Sequence, residues 1–195
     1  MTPRRPAVFL DRDGTINEEV DFVRTPDQLV LIPGAGRAIR LLNRAGLVTC
    51  VISNQSGVGR GLYTEHDLGL IHARLAEDLK KEEAVLDRIY YCPHHPTEGI
   101  PPYNIACACR KPSPGMLRAA ERELHLDLQR STVVGDRSVD VLAGRAVGAR
   151  TVLVLTGYGQ QAEKDCAALG VRPDHTVASI VEAVDIILGE DGAHA

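Results

Sequence analysis

Ala7-Val8-Phe9-Leu10-Asp11-Arg12-Asp13-Gly14-Thr15 is the stretch on which the reading of this chain turns. The apolar run from Ala7 to Leu10 is too short for a helix and ends in turn residues, so it predicts a buried strand. Side chains of an extended segment alternate sides, so Asp11 and Asp13, two apart, can project together from the strand's end. Asp and Gly also end strands without any chemistry. These residues alone leave both readings open, and the rest of the chain decides between them.

Working outward, Ile16 to Leu31 has no clear period. Pro33-Gly34 then opens a helix with Ala35, Ala38, Ile39, Leu42 and Ala45 on one face, closed by Gly46. Leu47 to Ser53 reads as a second buried strand, and Asn54 to Gly61 as a glycine-rich loop. Thr64 caps a helix striped by Leu68, Ile71, Leu75 and Leu79. Asp87 to Tyr91 is a short strand, and Cys92 to Cys109 a proline-rich insertion without period. Ser113 caps a helix with Pro114 at its first position. Thr132 to Val134 is a strand, a helix follows from about Ser138, and Thr151 to Leu155 is a fifth strand. A closing helix, Ile180 to Leu188, is capped by Ser179.

Strands alternating with amphipathic helices predict one α/β domain of three layers over residues 1–189, with a mainly parallel sheet and Glu190 to Ala195 as a frayed tail. In such folds the ligand crevice lies at the carboxyl ends of the strands. Asp11, Ser53 and Asp136 each follow a strand directly, so three polar groups from distant parts of the chain should converge there.

The 195 residues suit a single core, and 44% apolar with 25% charged residues is ordinary for a globular protein. A net charge of −4 and the lack of a basic-aromatic strip argue against nucleic acid and anionic membrane as partners. Asp11 interrupts the early apolar run far short of a signal-peptide core, and no run reaches the length of a membrane helix, so the cytoplasm is the expected location. Monomer is the default expectation. Of the five cysteines, Cys92, Cys107 and Cys109 fall in the insertion with His94 and His95. Three thiolates and one imidazole form a Cys₃His set, the preference of a structural Zn²⁺; a disulfide pair or buried thiols are the alternatives. Cys50 and Cys166 read as core packing.

Asp11-Arg12-Asp13-Gly14-Thr15, Ser53, Lys111 and Gly135-Asp136-Arg137-Ser138-Val139-Asp140 resemble the four ordered motifs of haloacid-dehalogenase-like (HAD) phosphatases. The resemblance implies a Rossmann-like HAD fold without a large cap domain. It implies Asp11 as nucleophile forming an aspartyl-phosphate, and Asp13 as the acid that protonates the leaving alcohol and then deprotonates water. Asp13 must be protonated at the first step, and crowded like charges are expected to raise its pKa. Ser53 would hydrogen-bond the transferring phosphoryl group and Lys111 would supply positive charge against it. Mg²⁺ would take Asp11, the Asp13 backbone carbonyl and Asp136, with Asp140 behind them.

The Cys92-Pro93-His94 and Cys107-Ala108-Cys109 pairs, the long interval between them, Asn54-Gln55-Ser56-Gly57 and Cys109-Arg110-Lys111-Pro112 are similar to those of heptose bisphosphate phosphatases. The resemblance implies Zn²⁺ on Cys92, His94, Cys107 and Cys109, and a phosphorylated sugar substrate that keeps its 1-phosphate for nucleotide-sugar synthesis. It implies substrate contacts from Arg12, Asn54, Gln55, Ser56, Arg110 and Arg137. Histidinol-phosphate phosphatases are close relatives and give the competing substrate. A zinc-stabilised binding module without chemistry is the non-enzymatic alternative, disfavoured by the complete set Asp11, Asp13, Ser53, Lys111 and Asp136.

Overall fold

In a computed structural model, whose described residues are 4–192, Ala7–Leu10 forms the first strand, β1, at the centre of the sheet. Val8 and Leu10 pack into one core with Ile39, Ile71, Leu75 and Val184, while Ala7 and Phe9 pack into a second with Met116, Leu117 and Ala143. A strand buried on both faces reads as a continuous apolar run, which is why this stretch is apolar without alternation. Phe9 is fully buried, and Phe9→Ala would cost about 3–5 kcal/mol in transfer and cavity terms.

The other strands are β2 (Val48–Asn54), β3 (Arg88–Cys92), β4 (Thr132–Gly135), β5 (Arg150–Val154) and β6 (His175–Val177), in the order β3-β2-β1-β4-β5-β6. Every pairing is parallel, with Phe9 opposite Cys50 on one side and Val133 on the other. The long helices are α1 (Ala35–Arg44), α3 (Glu65–Lys81), α4 (Gly115–Leu124), α5 (Ser138–Arg145), α6 (Gly159–Ala168) and α7 (Ile180–Gly192); Ser56–Gly59 is a single turn, α2. The buried faces of α1, α3 and α7 share the first core, and those of α4 and α5 the second, giving the three expected layers. Thr64 opens α3 as predicted: its hydroxyl accepts from Asp67 N–H (3.1 Å) and the Asp67 carboxylate accepts from Thr64 N–H (2.9 Å).

Four differences from the sequence reading have physical causes. The glycine-rich loop contains the turn α2, because Val58 and Leu68 bury there against Tyr63. The α6 segment carries only Ala162 and Cys166 as its buried apolar pair, too faint a stripe to read, and β6 is three residues long. Pro114, not Ser113, stands at the cap position of α4, and Gly115 is its first member. Finally, α7 continues to Gly192, into the stretch expected to fray; residues 193–195 lie outside the described residues. Cys50 and Cys166 are buried in the cores, as expected.

The chain winds outward from β1 through β2 to β3 and then crosses back to β4 on the other side of β1, so a crevice opens at the carboxyl ends of β1 and β4, where the strand order reverses.

Candidate active site

Asp11 leaves the end of β1 with its N–H still bonded to the Val134 carbonyl (2.9 Å), so its position is fixed by the sheet. Its Oδ1 accepts from Arg12 N–H (2.8 Å) and lies 3.0 Å from Lys111 Nζ; none of these contacts falls on Oδ2. Lys111 is buried and also faces Asp140 Oδ1 at 2.5 Å and donates to the Ile52 carbonyl at 2.7 Å. Burial alone would push its pKa down, but the Asp11 and Asp140 carboxylates hold it above the ordinary lysine value. Asp140 in turn accepts from Arg137 N–H (3.0 Å) at the start of α5.

Asp136 completes the floor. Its Oδ2 accepts from Tyr158 N–H (2.8 Å), while Oδ1 is buried without a partner. Burial, then the Asp11 and Asp140 charges, push its pKa up to about 8. Gly14 (φ +77°) and Gly157 (φ +56°) pack close: a Cβ on either would lie 2.1 or 2.2 Å from Asp136 Oδ2. The ligand oxygens of Asp11, Asp136 and Asp140 can lie within 4.8 Å of one another. Three carboxylates, one orphaned buried oxygen and a single lysine form an oxygen donor set deficient in positive charge, which fits Mg²⁺.

Asp13 departs from expectation. Its carboxylate is outside this cluster, turned to the Arg12 guanidinium (Nε 3.0 Å and Nη2 2.7 Å to Oδ1), Asn17 Nδ2 (2.9 Å) and Gln55 Nε2 (2.8 Å). Burial raises its pKa, but the Arg12 charge and these hydrogen bonds outweigh it and hold Asp13 below the usual carboxylate range. The carboxyls pushed up, by burial first and then by neighbouring carboxylates, are Asp136, Asp140 (about 6) and Glu19 (about 7).

Three residues expected to meet substrate are committed within the protein. Arg12 is fully buried and grips Asp13. Asn54 binds the Lys111 backbone with both ends of its amide, Oδ1 from Lys111 N–H and Nδ2 to Lys111 O, each at 3.0 Å. Gln55 Nε2 donates to Asp13 and to Ser53 Oγ (2.8 Å), and Gln55 Oε1 accepts from Tyr63 O–H (2.8 Å). Ser53 thereby keeps its own proton free to donate. Nothing in the sequence marks Asn17 or Tyr63, since neither belongs to a periodic face or a motif.

A cavity of about 400 Å³ rises from this floor, its walls including Glu19, Ser56, Arg60, Arg110, Arg137 and Tyr158. Arg110 Nη1 donates to the His94 carbonyl (3.1 Å). Arg60 pairs with Glu98 and lies over the Phe22 ring (5.6 Å). Beside the cavity, Cys92, Cys107 and Cys109 have Sγ separations of 3.1 to 3.4 Å, and His94 Nδ1 lies 3.5 Å from Cys109 Sγ and 3.7 Å from Cys92 Sγ. Those spacings are too long for a disulfide, at about 2.05 Å, and all five cysteines are free. Soft donors converging from four directions are compatible with zinc.

A family described as HAD-hydrolase-like matches residues 108–183. Parallel sheet, carboxylate-lysine floor and this match define a HAD-type phosphatase. Over 187 residues the chain is 41% identical to the D-glycero-D-manno-heptose-1,7-bisphosphate 7-phosphatase of Thermosynechococcus vestitus, covering 94% of this chain and 95% of the relative. It is 42% identical over 169 residues to the D-glycero-beta-D-manno-heptose-1,7-bisphosphate 7-phosphatase of Escherichia coli (strain K12), covering 86% and 88%. The crystal structure of D,D-heptose 1,7-bisphosphate phosphatase from B. bronchiseptica, complexed with magnesium and phosphate, superposes with a TM-score of 0.84 at 35% identity, covering 95% of this chain and 99% of that one. The chain belongs to the heptose 1,7-bisphosphate 7-phosphatase family. No helix among the described residues is long and apolar enough to cross a membrane.

Proposed function

We propose that this protein hydrolyses the C7 phosphate of D-glycero-D-manno-heptose 1,7-bisphosphate, giving heptose 1-phosphate and phosphate. The observation that carries the reading is a cavity with two chemically different ends. Asp11, Ser53 and Lys111 line a floor that fits phosphoryl transfer, with Asp136 buried beneath it, and Arg60, Arg110 and Arg137 stand along the walls, where a second anionic group can be held.

In this reading Asp11 attacks phosphorus and takes the phosphoryl group as an aspartyl-phosphate, breaking the bond to the C7 oxygen. Lys111 stays protonated throughout and offsets the charge at Asp11. Ser53 donates its free hydroxyl proton to a phosphoryl oxygen. Asp13 gives a proton to the departing C7 oxygen and recovers one from the water that hydrolyses the intermediate. To do so it exchanges part of the Arg12 fork for substrate and takes up a proton from solvent as the fork opens, since in the substrate-free site its two oxygens are fully occupied by nitrogen donors. Asp11, Asp136 and the Asp13 backbone carbonyl would hold Mg²⁺, which would supply positive charge against the phosphoryl oxygens.

Zn²⁺ on Cys92, His94, Cys107 and Cys109 would be structural, as four protein ligands leave no position for water. Arg110 and Arg137 bind the retained phosphate, and Ser56 lies within reach of the sugar. We place the enzyme in the cytoplasm as a monomer, without nucleic-acid or membrane partners. The test is phosphate release, with Mg²⁺, from both anomers of the heptose bisphosphate and from histidinol phosphate. The bisphosphate should give the higher kcat/KM; a strong preference for histidinol phosphate overturns the substrate assignment. Asp11→Asn should abolish turnover while the fold persists, and substantial residual turnover excludes Asp11 as nucleophile.

A further inference from the structure

Tyr158 makes three contacts to three different parts of the site, and no motif in the sequence marks it. Its backbone N–H holds Asp136 Oδ2 (2.8 Å). Its ring lies under the Arg137 guanidinium, with Arg137 Cζ 3.9 Å from the ring centroid. Its hydroxyl donates to Asp21 Oδ1 at 2.6 Å, fastening the Glu18 to Phe22 segment at a residue with φ +61°. That segment carries Glu19, whose Oε2 lies 3.7 Å from Arg137 Nη2 and whose Oε1 is buried without a partner. Arg137 is therefore held between an aromatic face and a carboxylate, although nearly half of its side chain, 47%, is exposed.

An arginine that is half in water ordinarily loses rotamer freedom when it grips an anion. Stacking on Tyr158 orders it beforehand, so an arriving phosphate meets a group already aimed at it. The latch to Asp21 sets where Glu19 stands, and with it the second contact to Arg137. We propose that Tyr158 is a positioning residue that presets Arg137 and the 18–22 segment for the substrate's second phosphate, and so sets the preference for a bisphosphate over a simple phosphate monoester. This rests on the heptose bisphosphate reading above.

The side chain can be changed without touching the N–H that serves Asp136. Tyr158→Phe keeps the ring and removes the bond to Asp21; Tyr158→Ala removes both. Steady-state kinetics would be measured on the heptose bisphosphate and on p-nitrophenyl phosphate, with amide hydrogen exchange over residues 18–22. Tyr158→Ala should lower the bisphosphate-to-monoester ratio of kcat/KM about tenfold, with the loss in KM. Tyr158→Phe should lower it by less than about threefold, since the ring contact persists. Exchange over 18–22 should quicken in both. A parallel loss on the two substrates, a loss confined to kcat, or unaltered exchange overturns the proposal. If the unmodified enzyme itself shows no preference for the bisphosphate, the substrate reading has failed; exchange that still quickens then leaves the latch standing without its role in selectivity, which also overturns the proposal.

Discussion

Lys111 and Asp140 form an ion pair with both side chains almost wholly out of water, Nζ to Oδ1 at 2.5 Å. Neither residue would survive burial alone, and Lys111 is shared with Asp11, so the pair fixes the one cation of the floor.

Removing one partner leaves the other buried and uncompensated. Asp140→Asn should destabilise the fold by about 3 kcal/mol, the lower end for a broken buried pair because Asp11 and the Ile52 carbonyl still hold Lys111. Lys111→Met should cost catalysis more, since it removes the ammonium that faces both Asp11 and Asp140. Urea titration and turnover, measured on the same samples, separate the two effects.

Without magnesium, stability should depend on pH through the floor. Asp136 and Asp140 titrate near 8 and 6 in the folded protein, against ordinary values of 3.8, so between about pH 4 and 8 the folded state binds more protons than the unfolded chain. Stability then falls as pH rises through that window and levels off above it. Protein dialysed free of Mg²⁺ should melt lower at pH 8.5 than at pH 5.5, at about 2–4 °C per kcal/mol. Added Mg²⁺ should reverse this mainly at the higher pH; an equal effect at both would contradict it.

Gly14 is replaceable by no side chain. A Cβ there meets Asp136 Oδ2 at 2.1 Å, and φ of +77° adds about 1–2 kcal/mol of backbone strain. Gly14→Ala should weaken Mg²⁺ binding measured by calorimetry by at least about tenfold. Gly46→Ala, with φ +75° and open space around it, is the control: it should share the strain and leave magnesium affinity intact.

For the zinc cluster, Cys109→Ser should lower bound zinc in metal analysis and expose residues 95–106 to limited proteolysis. KM should rise through Arg110, which is tied to the His94 carbonyl. Full activity in zinc-free protein would separate the cluster from substrate binding.

The sheet was legible because β1, β2, β4 and β5 are buried apolar runs, and the helices that face them carry regular stripes. The two small elements α6 and β6 were not, because burial there falls on alanine, cysteine and a three-residue strand. At the site, strand-end position located Asp11, Ser53 and Asp136 without the structure. Direction of the side chains did not follow from position: the alternation that aims Asp11 and Asp13 alike ends where the chain turns, and Arg12 captures Asp13. Arg12, Asn54 and Gln55 stand beside the phosphate site in sequence, yet their hydrogen-bonding capacity is spent on their neighbours. Tyr158 lies beyond any motif, and only the fold carries its ring to Arg137.

The two-ended grip of Asn54 on the Lys111 backbone has a consequence for how such a molecule could be rebuilt. It staples the lysine to the end of β2 directly, across fifty-seven positions of sequence and independently of the segment that intervenes. Between the two pairs of the cysteine-histidine cluster, the stretch 95–106 is thus a loop mounted between two fixed posts. Loops of other lengths spliced between those posts should alter what the cavity admits, while the grip of Asn54 keeps Lys111 aligned with Asp11.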